Sequence, residues 1–221
     1  MQTPDYERAA IMALETLIKY DVRNAPINPL PMLQSLENVS LVSFTQMSDN
    51  IGVCRQDLMK TFRYTPDAFS SVNVEDGKLQ YIVAYNQKLG EGNHSLHCAL
   101  ARELSHIILG HDGTLPFDVR KAEAVAFHHH LLCPRPLIHA VQAFGIRITN
   151  VTLNFLTGCN EQCLASLRKM PPVHVPADLN RAVFEQFRDY IMNFFEFHRT
   201  ISKKDVSGLA DFGSYMDGYE E

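Results

Sequence analysis

The sequence predicts an α+β fold in which a small β-sheet is packed with helices, an active-site-like pair of helices follows the sheet, and a helical extension closes the chain. Three observations carry this expectation. Residues 69–85 hold two β-rich runs, "FSSVNV" and "LQYIVAY", separated by Glu75-Asp76-Gly77-Lys78, a hairpin turn. Residues 94–109 and 118–132 show helical periodicity, the first run stopped by Gly110 and the second by Pro134 and Pro136. Within 178–198, Val183, Phe184, Phe187, Tyr190, Ile191, Phe194 and Phe195 fall on one stripe of a long helix, a pattern that core packing explains. The expected organisation is a domain over 1–145, a helical region over 146–200 and a mobile tail over 201–221.

The remaining elements follow in order. Thr3 is a candidate N-cap with Pro4 behind it, and Tyr6, Ala10, Leu14, Leu17 and Ile18 give the first helix its apolar face. Asn28 before Pro29 starts a short helix to about Leu36, and Val39–Phe44 reads as a strand. The stretch through Tyr64 carries no clear period, although "CRQDLMKTF" fits a short helix. "PLIHAVQAF", "VTLNFLTG" and "NEQCLASLRK" are short helices, and "MPPVHVP" links them to the aromatic stripe.

Composition excludes several classes of function. A hydrophobic content of 46% over 221 residues is enough for a real core, so a folded protein is expected. The formal net charge of −5 offers no phosphate-neutralising face, which argues against nucleic-acid binding. The helix-turn-helix outline of "VTLNFLTGCNEQCLASLRK" does not change this, because its second helix supplies only Arg168 and Lys169 as cations. The five cysteines are odd in number and form no CxxC pair, so a reduced, cytoplasmic chain is expected rather than a disulfide scaffold or zinc ribbon. Cys159 and Cys163 are read as small buried apolar residues. With no signal core and no run of about 18 apolar residues, neither export nor a membrane anchor is expected.

The chemistry-bearing stretch is "ALARELSHIILGH", residues 99–111. A His-Glu-x-x-His helix places two imidazoles one turn apart on a metal while the glutamate acts on the metal's water. Here Arg102 stands at the first histidine position, leaving Glu103 at the general-base position and His106 at the second ligand position. A third ligand should come from the following helix, where "AEAVAFHHHLLCP" offers Glu123.

Together the two blocks resemble the ImmA/IrrE family of metallopeptidases, which typically read H-E-L-G-H-x-x-L-G-H and then E-A-x-x-F-A-x-x-L-L-x-P. The matching positions are Arg102, Glu103, Leu104, Ser105, His106, Leu109, Gly110 and His111, then Glu123, Ala124, Phe127, His128, Leu131, Leu132 and Pro134. The resemblance implies a zincin-like helix pair with Glu103 as base and with Arg102, His106 and Glu123 at the metal positions. It also implies a regulatory role in mobile elements or stress regulons, acting on a helix-turn-helix repressor. Arg102 departs from that pattern, because a guanidinium stays protonated and has no lone pair to give a metal. Ser105 in place of the usual glycine is a smaller departure.

The expectation is therefore a pseudoenzyme without zinc that binds a protein partner such as a repressor. Arg102 would supply the missing charge by setting its fork against Glu123. Arg102→His should then restore zinc binding. The alternative is an active zinc endopeptidase with a rearranged site in which His97, His111 or one of His128, His129 and His130 replaces the lost ligand. Spacing weighs against these substitutes: His111 lies beyond Gly110, and His130 is seven residues past Glu123, about 10 Å along a helix. Three consecutive histidines spread over about 200°, so the triplet is expected to be mostly exposed, with His128 the member pressing inward. His94 and His97 are expected to be solvated. Additional candidate cleft residues are thus His111 and His128.

Overall fold

A computed structural model describes residues 2–52, 54, 57, 67–90, 92–159 and 165–201. It is an α+β structure with a three-stranded sheet at one side of a helical body. Most of the predicted helix in "CRQDLMKTF", the first half of that in "NEQCLASLRK" with Cys163, and the tail from Ser202 lie outside the described residues.

Helix α1 (Tyr6–Lys19) starts two residues later than the Thr3 cap would place it. Asp5 takes that role, because its carboxylate accepts the Arg8 N–H at 2.9 Å. Its buried face is Ala9, Ala10, Ala13, Leu14 and Leu17, and the small residues let it lie close along a later helix. Helix α2 (Leu30–Gln34) begins where Asn28 Oδ1 accepts the Leu30 N–H.

Strand β1 (Val39–Ser43) leads directly into helix α3 (Phe44–Ile51), which the periodicity did not reveal. A capping box starts α3: the Ser43 side chain accepts from Gln46 N while the Gln46 side chain accepts from Ser43 N. Strands β2 (Ala68–Glu75) and β3 (Lys78–Tyr85) form the expected hairpin, with Asp76 and Gly77 both at positive φ, as a type I′ turn requires. β3 is central, antiparallel to β2 and parallel to β1, with Val39 opposite Tyr81 and Val72 opposite the same tyrosine. Alternation along β3 buries Tyr81 and Val83 in the main core and sends Ala84 to a small second cluster with Phe44 and Phe69.

Helices α4 (His94–Ile108) and α5 (Phe117–Leu132) match the predicted pair in position. α4 packs on β2 and β3, and α5 packs between α4 and α1. Helices α6 (Arg135–Ala143) and α7 (Asn150–Thr157) follow. The aromatic stripe belongs to two helices, α8 (Ala177–Gln186) and α9 (Arg188–Ile201), rather than one, with the break at Phe187. Its residues pack as predicted: Val183, Phe187, Tyr190, Ile191 and Phe194 join the same core as α1 and α4. The Gln186 amide donates to the carbonyls of Leu17 and Val22, fastening α8 to the end of α1. Among the described residues no helix is long and apolar enough to cross a membrane.

Candidate functional site

Helix α4 delivers Arg102, Glu103 and His106. Asn93 caps it by accepting the Leu96 N–H, and its far end closes on Gly110 at φ +69°. There the Gly110 N–H donates to the Ile107 carbonyl and the His111 N–H to the His106 carbonyl, the two bonds of a Schellman motif. In such a cap the residue after the glycine sits back over the last turn. His111 is thereby carried onto His106, with their Nδ1 atoms 2.8 Å apart. The spacing treats the chain beyond Gly110 as leading away, whereas the cap turns it back, so that His111, a candidate cleft residue, meets His106.

His111 also reaches the second helix of the pair. Its Nε2 lies 3.0 Å from Glu123 Oε2, and the other Glu123 oxygen accepts the Asp5 N–H at 2.9 Å. Both side chains are buried, at 1% and 5% exposure. Burial holds the His111 imidazole below its ordinary pKa although Glu123 pulls the other way, and burial pushes His106 down to about 3. With both rings neutral, the two contacts are satisfied when His106 Nδ1–H donates to His111 Nδ1 and His111 Nε2–H donates to Glu123. His106, which lines the cleft, keeps its lone pair on Nε2.

Arg102 does not face Glu123. Its guanidinium folds onto the next residue, with Nη2 2.7 Å and Nε 3.1 Å from Glu103 Oε1, and Nη2 also donates to the Ala68 carbonyl at 3.4 Å. The other Glu103 oxygen accepts the Ser70 hydroxyl at 2.6 Å. The predicted Arg102–Glu123 pair is therefore replaced by Arg102–Glu103. The reason lies in the acids: both Glu123 oxygens already have donors, whereas Glu103, only 5% exposed, needs a counter-charge. Ser105, fully buried, donates its hydroxyl to the Arg102 carbonyl, which accommodates a serine where glycine was expected.

The histidine triplet also departs from expectation. His129 and His130 are buried at 1% and 0% exposure, and His128, partly buried, places Nδ1 3.3 Å from the Ala124 carbonyl. α5 has neighbours on more than one side, so it has no solvated face wide enough for three imidazoles. Burial lowers the pKa of His128 to about 3 and those of His129 and His130 to about 4. His128 is not among the described residues that line the cleft. His97, expected in solvent, is buried at 6% exposure. Cys159 is buried as expected, close to Cys133.

Between α4, α5 and the sheet lies a cleft of about 550 Å³. Ser70, Val72 and Tyr81 line it from the sheet, Arg102, Glu103, His106 and His111 from α4 and its cap, and Phe117, Arg120, Lys121 and Ala124 from α5. Sequence reasoning missed Ser70, Tyr81, Arg120 and Lys121. The signal for the strand residues is alternation, since Ser70 and Val72 share a face of β2 and Tyr81 is paired with Val72.

A catalytic zinc takes three protein donors and leaves a fourth position to water. Here the three positions that the resemblance names supply two donors, His106 Nε2 and the Glu123 carboxylate, and a fixed cation at the third. Neither can His111 replace the missing ligand in this arrangement: one of its nitrogens meets Glu123 and the other His106, closer than the about 3.3 Å that separates two nitrogens on a tetrahedral zinc. Among the described residues no group of three or more His, Cys, Asp or Glu is arranged to hold a metal ion. The residues do not fit zinc. Compared with family models, curated proteins and solved structures, the chain matches none, so the functional reading rests on this geometry and on the motif.

Proposed function

We propose that this protein is an ImmA/IrrE-like regulatory protein, zincin-like in its helix pair, that has lost the peptidase's metal and binds a protein partner, such as a helix-turn-helix repressor, without cutting it. The observation that carries the reading is Arg102 locked on Glu103. One residue occupies a ligand position with a group that cannot ligate, and the same residue ties up the carboxylate that would act as base. His106, His111 and Glu123 keep the outline of a site whose second histidine and acid are oriented through a shared imidazole, an arrangement that metal sites use to aim their ligands.

The second reading is an active zinc endopeptidase with a rearranged site. It is favoured by one observation, the convergence of His106, His111 and Glu123 on one point of the fold. Zinc content decides between the two. Protein purified without a histidine tag should carry far less than one zinc per chain, and Glu123→Ala should leave that content unchanged. One zinc per chain, lost in Glu123→Ala, would establish the endopeptidase instead.

A further inference from the structure

The side chains that line the cleft include three cations and one carboxylate, while Asp112, outside the lining, lies within the electrostatic reach of Arg120 and Tyr81. Glu103 is matched by Arg102, but Arg120 and Lys121 form no ion pair with a carboxylate among the described residues. Arg120 is nevertheless fixed in place: its Nε donates to the Leu115 carbonyl at 3.0 Å, which leaves its two terminal nitrogens for another acceptor. Arg102 and Arg120 both line the cleft, one from α4 and the other from α5. Beside them the Tyr81 ring lines the wall, 3% exposed, and its buried hydroxyl has no hydrogen-bond partner among the described residues. An unpaired buried hydroxyl is unfavourable, and a ligand oxygen reaching it would relieve that cost. The rest of the lining is apolar: Ala124, Val72 at 37% exposure and Phe117 at 66%. Cations at the centre with apolar side chains at the rim suit an acid carried on a peptide better than a small, fully hydrated anion.

We infer that the cleft receives a glutamate or aspartate side chain from an extended segment of the protein partner, with the carboxylate between Arg102 and Arg120 and aliphatic neighbours against Val72 and Phe117. The inference rests on the partner-binding reading above. Lys121, exposed at the mouth, adds attraction that salt screens, while a carboxylate seated on the two arginines is shielded and makes charge-assisted hydrogen bonds.

The test is a nuclear magnetic resonance titration of the full chain with two probes, acetyl-Leu-Glu-Leu-amide and acetyl-Leu-Gln-Leu-amide, which differ in charge alone. The acidic probe should bind on the order of tenfold more tightly. Its shifts should gather at Ser70, Val72, Phe117 and Arg120. The preference should vanish in Arg120→Gln and shrink in Lys121→Gln, whose exposed position leaves the fold unaffected. Equal binding of the two probes, no binding of the acidic one at millimolar concentration, or shifts outside the cleft would overturn the inference. Zinc content separates the two ideas. Stoichiometric zinc defeats the partner-binding reading, whereas a zinc-free protein indifferent to the acid defeats this inference alone.

Discussion

The partner that Arg102 takes follows from what each acid already holds. Glu123 has His111 and the Asp5 N–H, so the guanidinium turns to Glu103. Removing His111 should therefore be costly: His111→Ala leaves a buried carboxylate short of one donor and should destabilise the protein by about 1–3 kcal/mol, read as a fall in the urea midpoint. An unchanged midpoint would mean that water replaces the imidazole without loss. The placement of Glu103, His106 and Glu123 on two packed helices was legible in the sequence, because the helical periodicity of the two blocks puts them there. The direction of Arg102 was not, since a long side chain on a helix can reach its own neighbour as well as the facing helix, and only the occupancy of both acids decides.

At the scale of elements, the cap of α4 does the positioning. Gly110 at φ +69° has open space around it, so Gly110→Ala meets no clash and should cost about 1 kcal/mol through backbone strain alone. The same variant should alter the His106 and His111 ring signals, while a variant of equal stability elsewhere should not. His111 could have been found from "HIILGH" by reading Gly110 as the turn of a Schellman motif rather than as a stop. Likewise, α3 was available in Ser43, Gln46 and Gly52, a capping box followed by a left-handed glycine that closes the helix. The burial of His128–His130 was not available, because it depends on what packs around α5.

That burial has a consequence for pH. His106 and His128 are held to about 3, and His129 and His130 to about 4, from an ordinary 6.5. Between these limits the unfolded chain binds more protons than the folded one, so stability is fully present above pH 6.5 and is lost as the pH falls towards 4. Each such group adds a slope of up to about 1.4 kcal/mol per pH unit. The urea midpoint should drop clearly between pH 7 and pH 5; a flat profile across that range would contradict the burial of the triplet.

Across the whole molecule, α8 and α9 share one core with α1 and α4. Phe187, fully buried where the two helices meet, should cost about 3–5 kcal/mol when changed to alanine, and the loss should appear as one shifted transition rather than two. Separate transitions for the carboxyl-terminal helices would contradict a shared core. The account as a whole turns on whether this fold holds a metal, and a paired zinc titration of the wild-type protein and Arg102→His tests that most directly. The wild type should take up no stoichiometric zinc, and the variant, with an imidazole beside His106 and Glu123, should bind one ion per chain. A wild-type protein that binds one zinc as tightly as the variant would contradict it.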